Sequence, residues 1–218
     1  MSELERQLRQ PYDATIHAGV PQAALDALAA RAEREGLVEV AYGQADSPFG
    51  PLTVAATERG LVLLAYPEVE LEGVLERLAR TISPRVLEAP RRIDPVRREL
   101  DEYFERRRRE FDLELDWRLV RGGFATAVLE ATAAIPYGET LTYREVAGRA
   151  GSPKAFRAAG NGLGSNPIPI VVPCHRVIGA DGSLTGFGGG LPAKQFLLAL
   201  EGAMPAGDLF SRHNPQLL

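Results

Sequence analysis

Thr142-Tyr143-Arg144-Glu145-Val146-Ala147-Gly148-Arg149-Ala150-Gly151-Ser152-Pro153-Lys154-Ala155-Phe156-Arg157-Ala158-Ala159-Gly160-Asn161-Gly162-Leu163 is the stretch that decides how the second half of this chain folds. Up to Gly151 it reads as a short helix stopped by glycine. Ser152 and Pro153 then supply an N-cap and a first-turn proline, and Lys154 to Leu163 reads as a second helix. Two short helices across so tight a turn form a helix-turn-helix. The second helix is almost all small residues. With Gly164 it carries three glycines, which as helix interior would cost roughly 2–3 kcal/mol against alanine. Either a neighbouring element packs on their bare backbone, or a bulky partner comes to backbone distance beside Arg157. Arg144, Arg149, Lys154, Arg157 and Arg176 face a single acid, Glu145, so this region is locally positive in a chain whose net charge is −4.

Downstream, Asn166-Pro167-Ile168-Pro169-Ile170-Val171-Val172-Pro173-Cys174-His175-Arg176-Val177 reads as a stiff, proline-punctuated strand ending at the only cysteine of the chain, with an imidazole next in line. One cysteine excludes an internal disulfide and any multi-cysteine zinc site, and it fits a reduced, cytoplasmic thiol. Gly186-Phe187-Gly188-Gly189-Gly190-Leu191 is a glycine-rich loop without the Lys-Ser/Thr ending of a P-loop. Its exposed N–H groups and the Phe187 ring suit the edge and face of a planar ligand better than a triphosphate. Pro192 to Glu201 is a last helix, and 203–218 a loosely ordered tail.

Upstream, residues 1–36 form an extension with an alanine-rich helix from Pro21 to Ala32, whose Leu25, Leu28 and Ala32 share a face. Leu37 to Tyr42, Leu52 to Ala56 and Leu61 to Tyr66 are β-like runs separated by glycines. They predict a small antiparallel meander, followed by a helix over Leu71 to Thr81. This scaffold domain spans 37–94, and a second domain spans 95–202. In the charged stretch Arg91 to Glu110, the run Arg106 to Arg109 reads as a solvated face, with phosphate binding as the other possibility. Phe111 to Trp117 alternates apolar and acidic residues, as a half-buried strand or connector does. Phe124 to Ala134 is a helix with Phe124, Ala127, Val128 and Ala131 inward. With 218 residues the chain suits two modest domains; it has no apolar run near the ~20 residues of a membrane span, and the expected partners include no membrane.

Pro173-Cys174-His175-Arg176-Val177, behind Asn166-Pro167 and followed by the glycine-rich loop and Glu201, resembles the signature of the O6-alkylguanine-DNA alkyltransferases, the methylated-DNA-protein-cysteine methyltransferases. The resemblance runs from about Tyr103 to Glu201. It implies an α+β fold: a ribonuclease H-like N-terminal sheet with a helix, and a mostly helical C-terminal domain holding the helix-turn-helix and the active-site strand. It implies a monomer, with no cofactor or metal, that takes an alkyl group from O6 of guanine, or O4 of thymine, in double-stranded DNA onto its own thiol, once.

By the same resemblance Cys174 is the acceptor, His175 its base through a water, and Glu201 the support of His175. Asn166 organises the turn, and Tyr143 helps rotate the nucleotide out of the duplex. The cysteine carbonyl, Val177 and Gly188 would read the guanine edge, with Phe187 and Leu163 as walls. The second helix would enter the minor groove, with Arg157 filling the vacated space, Ala158 and Gly160 against the backbone, and Arg144, Lys154 and Arg176 as further DNA contacts. This chain has Ala125, Leu129 and Phe187 where many relatives have Gln, Trp and Tyr. One rival is a non-enzymatic lesion-binding relative, and the presence of Cys174 speaks against it. Another is a thiol hydrolase using Cys174 and His175, against which stands the fact that adjacent residues on a strand point to opposite faces.

Overall fold

The computed structural model describes residues 22–204; the first part of the extension and the tail from 205 onward lie outside the described residues. Two compact units divide between Leu37 and Val38. The first contains helix α1 (Gln22–Arg34), with Arg31 and Arg34 in its last turn, where cations complement the helix dipole. Gly36 closes it in the left-handed conformation, φ 66°. Gly36 N donates to Glu33 O and Leu37 N to Ala32 O, a Schellman ending. Leu28, on the face that the sequence assigns to Leu25, Leu28 and Ala32, is 57% exposed.

The second unit opens with strands β1 (Val40–Ala45), β2 (Leu52–Thr57) and β3 (Gly60–Ala65), antiparallel in sequence. Helix α2 (Leu71–Thr81) follows, as its periodicity predicts, with Val74 and Leu78 inward. The chain then adds β4 (Val86–Glu88) parallel to β1, giving the order β3-β2-β1-β4. The sheet is therefore mixed rather than antiparallel throughout. Three residues are too few to leave a periodic signal, so β4 is invisible in the sequence. β2 is buried at every position. Ala55 packs with Val62, Val74 and Leu78 on the α2 side. Leu52, Val54 and Ala56 face the main core instead.

That main core spans both halves of the unit. Helix α3 (Asp94–Phe104) contributes Val96, Leu100 and Tyr103, and the C-terminal half contributes Val128, Leu129, Ile168 and Leu197. Phe111 to Trp117 is a connector held to the edge of β3 by a single bridge: Leu61 N donates to Glu114 O and Asp116 N to Leu61 O, both 2.8 Å. A second β3 donor, Leu64 N, goes to Pro167 O at 2.8 Å.

Helix α4 (Gly123–Ala133) buries Val128, Leu129 and Thr132, a face turned by about one position from the predicted one. A two-residue strand, β5 (Leu141–Thr142), precedes α5 (Tyr143–Arg149), which starts from a capping box in which Thr142 and Glu145 satisfy each other's backbone. The second helix of the pair, α6 (Phe156–Gly164), begins after Ala155. Ser152 and Pro153 lie in the turn and do not cap it. Strand β6 (Val177–Ile178) pairs with β5 in parallel, and α7 (Gly190–Leu200) closes the described fold. No described helix is long and apolar enough to cross a membrane.

Candidate active site

The run from Asn166 to Val177 is not the strand that its apolar residues suggest. Pro167, Pro169 and Pro173 have no N–H to give a sheet ladder, and Ile170 sits at φ 74°, a strained conformation for a β-branched side chain. The chain turns back on itself, with Val172 N on Ile168 O. Cys174, His175 and Arg176 then form a single 3-10 turn. Successive side chains leave such a turn at about 120° to one another, so three neighbours reach three different surroundings.

Cys174, 9% exposed, faces a cavity of about 510 Å³ lined also by Tyr143, Gly160, Leu163, Gly164, Thr185, Gly186, Phe187 and Gly188. That size suits a small organic ligand. Tyr143, Gly160, Leu163, Phe187 and Gly188 are expected site residues that the fold brings to the thiol. Val177, also expected, is fully buried and lies outside the lining. Gly164 and Gly186 come from the small-residue helix and the glycine-rich loop already singled out, and Thr185 was not foreseen. Thr185 Oγ1 is 2.7 Å from the Tyr143 hydroxyl, a pairing that joins residues 42 apart and leaves no local trace in the sequence.

Asn166 holds the turn with both ends of its amide. Its Oδ1 accepts from Ile168 N (3.0 Å), and its Nδ2 donates to Val172 O (2.9 Å) and to Cys174 Sγ (3.2 Å). Burial pushes the thiol up to about 11, with the Asn166 hydrogen bond and the charge of Lys194 working against it. Lys194 is fully buried and donates to Val177 O (2.6 Å) and Thr185 O (3.1 Å). Burial lowers its pKa while the thiol opposes that shift. Its signal in the sequence is a lysine on the apolar stripe of the last helix, among Ala193, Leu197 and Leu198.

His175 is fully buried and bonds through Nε2 to Glu201 Oε1 at 2.8 Å. Burial would raise the Glu201 pKa, but hydrogen bonds from His175 and Arg176 outweigh it and hold the carboxyl at about 2. An ionised carboxylate only accepts, so Nε2 carries the ring proton and Nδ1 the lone pair. Burial lowers the His175 pKa and keeps the ring neutral. Nδ1 has no hydrogen-bond partner. Tyr103 also donates to Glu201 Oε1 at 2.6 Å.

Arg176 departs from expectation. It is 5% exposed, donates to both oxygens of Glu201 and to Ile135 O, and has no surface to offer DNA. A guanidinium two positions past the cysteine, on a 3-10 turn packed under α7, is drawn to the buried carboxylate. The exposed cations of the helix-turn-helix are Arg144, Arg149, Lys154 and Arg157. Arg144 of α5 and Arg157 of α6 both stack over one ring, Phe156, at 5.2 and 5.7 Å. Ala158 is exposed beside them.

The small residues of α6 divide between the two explanations. A Cβ on Gly162 would touch Ala125 and Val128 of α4 at 3.5–3.7 Å, so Gly162 serves helix packing. Gly160 and Gly164 line the cavity instead. In the run Arg106 to Arg109, Arg107 pairs with Glu105, Arg108 with Glu102 and Glu99, and Arg109 stacks on Tyr137 at 5.7 Å.

Comparison with known proteins matches two family models in succession along the chain. The family model of the 6-O-methylguanine DNA methyltransferase ribonuclease-like domain matches residues 40–117, and that of the DNA binding domain matches 123–203. A methylated-DNA--protein-cysteine methyltransferase of Mycolicibacterium paratuberculosis is 44% identical over 180 residues, 82% of this chain and 97% of that protein. One from Methanosarcina barkeri is 41% identical over 160 residues, 73% of this chain and 96% of its own. Among solved structures, the Mycobacterium tuberculosis OGT in complex with DNA shares 42% identity at a TM-score of 0.64, covering 75% of this chain and 93% of that one. With both halves matched in order and relatives aligned over nearly their full length, the chain belongs to the 6-O-methylguanine DNA methyltransferase family.

Proposed function

We propose that this protein repairs DNA by moving an alkyl group from O6 of guanine, and from O4 of thymine, in double-stranded DNA to Sγ of its own Cys174. The observation that carries the reading is the thiol itself. The only cysteine of the chain faces a cavity walled by small residues and the rings of Tyr143 and Phe187, with Asn166 Nδ2 on its sulfur.

His175 Nδ1, a lone pair with no partner, takes the thiol proton through an intervening water, and Glu201 keeps the ring in the tautomer this requires. The thiolate attacks the alkyl carbon, an S–C bond forms as the C–O bond breaks, and the base leaves as an anion that regains a proton. Thioether formation ends the life of the acceptor, so each molecule acts once. A target atom inside a duplex has to be rotated out to reach a sulfur this deeply set. In this reading the protein acts as a monomer on the minor groove. α6 lies in the groove, Arg157 occupies the vacated space, and Arg144 and Lys154 contact phosphate. Tyr143, Leu163, Phe187, Val177 and Gly188 receive the base.

The test is the intact mass of the protein after incubation with a duplex carrying O6-methylguanine. One added methyl, localised to Cys174 and never exceeding one equivalent, is the expected outcome. Tight binding with an unmodified thiol would instead make this a lesion-binding protein.

A further inference from the structure

Tyr66 stands one residue beyond β3, in the N-terminal half of the unit, yet its ring ends on the loop that walls the acceptor cavity. A Cβ placed on Gly189 would fall 2.5 Å from Tyr66 Cζ and 2.7 Å from Cε1 and Cε2. The face of the ring, at its hydroxyl-bearing end, therefore rests on the backbone of the glycine-rich loop. The same ring meets Phe187 edge-on at 5.8 Å, and Phe187 shares the cavity wall with Cys174. Tyr66 is 3% exposed and its hydroxyl has no hydrogen-bond partner.

A phenylalanine would fill this space without leaving a polar atom stranded, and an unpartnered buried hydroxyl costs stability. Among the described residues only one other buried side-chain polar atom lacks a partner, Nδ1 of His175. The His175 ring also meets Phe187, at 6.3 Å. Both unsatisfied atoms thus belong to rings that flank one wall of the same cavity.

We propose that Tyr66 is a positioning residue for the acceptor: its ring seats the glycine-rich loop beside Cys174, and its hydroxyl becomes a hydrogen-bond donor to the thiolate as the thiol ionises. This rests on the transfer reading above. Burial, and then the charge of a Cys174 thiolate, push the phenol well above its ordinary range, so it keeps its own proton and acts only as a donor. The proton released by Cys174 goes through water to His175 Nδ1, and no atom of Tyr66 is transferred. Donation to a charged partner is where a buried hydroxyl gains most.

The test compares Tyr66→Phe with the parent chain in two assays. Carboxamidomethylation of Cys174 by iodoacetamide across pH, followed by intact mass, reads the thiolate fraction without DNA. Single-turnover transfer from an O6-methylguanine duplex reads the reaction. Loss of the donor is expected to displace the iodoacetamide profile upward by about one pH unit and to slow both reactions about tenfold at neutral pH. The two chains should converge at alkaline pH with duplex affinity unchanged. Coincident profiles would overturn the role of the hydroxyl. Gly189→Ala, which drives the ring from its seat, should displace the profile in the same direction, and an unmoved profile would overturn the seating. A parent chain that reacts with iodoacetamide but never gains a methyl from the duplex would refute transfer itself, while the iodoacetamide comparison would still decide Tyr66.

Discussion

Arg176 spends Nε and Nη2 on the two carboxylate oxygens of Glu201, at 2.8 and 2.9 Å, in the interior of the protein. The pair is closed off from solvent and lies directly beside the acceptor turn. Its charge therefore acts on His175 and on folding, and not on a distant phosphate.

Arg176→Ala is expected to lose about 3–5 kcal/mol of stability, because it leaves the Glu201 charge buried and half-paired. Denaturant unfolding measures this. Arg157→Ala, at an exposed position, should leave stability within about 0.5 kcal/mol. It should weaken repair of duplex DNA far more than reaction with the free alkylated base, and equal losses on both substrates would remove Arg157 from its place in the groove.

Acid should weaken the fold in two stages. His175 is held below its ordinary pKa, so the unfolded chain takes up that proton first, and stability starts to fall as pH drops through about 6.5. Glu201 is depressed from 4.5 to about 2. Its contribution, on the order of 3 kcal/mol, is complete above 4.5 and disappears as pH falls toward 2. Urea unfolding at a series of pH values should show both stages, and Glu201→Gln should abolish the lower one.

Asn166→Ala removes the donor that opposes burial at the thiol, so the Cys174 pKa should climb beyond about 11. Single-turnover transfer at neutral pH should fall at least about tenfold, since a hydrogen bond to a charged group contributes about 1.5–3 kcal/mol. Asn166→Asp puts a negative charge beside the sulfur and should be slower still. A variant as fast as the parent across the pH range would show that the amide organises nothing of consequence.

Gly160→Ala separates stability from function. Its Cβ would lie 3.7 Å from the Tyr143 ring, an ordinary contact, so α6 should gain up to about 1 kcal/mol. The same methyl narrows the cavity beside Cys174 and should slow transfer from duplex DNA. A rise in melting temperature with unchanged transfer would mean that Gly160 is dispensable to the site.

What the sequence revealed followed from how local each signal was. The helix from Leu71 to Thr81, the end of α1 at Gly36 and the helix-turn-helix rest on periodicity and turn residues a few positions apart. The resemblance added the order of Asn166, Cys174, His175 and Glu201. The sequence misled where a local rule met a tertiary partner. Apolar residues from Ile168 to Val172 look like a strand, yet three prolines and the bonds of Asn166 fold them into a turn. Arg176 looks like a cation for DNA, yet Glu201 lies within reach beneath it. Tyr66, Tyr103 and Lys194 each reach the site from a sequence-distant segment or an unexpected helix face, and no spacing rule announces such contacts.

The hydrogen bond from Leu64 to Pro167 has a consequence beyond the acceptor. Together with the bridge to Leu115 it occupies the outer rim of β3, while the opposite rim, β4, is only three residues long. An open rim is where a second chain adds its own strand and where aggregates begin. The segment that delivers the thiol thus also protects the protein from its own copies, and loosening that turn would make it both a poorer reactant and a stickier one.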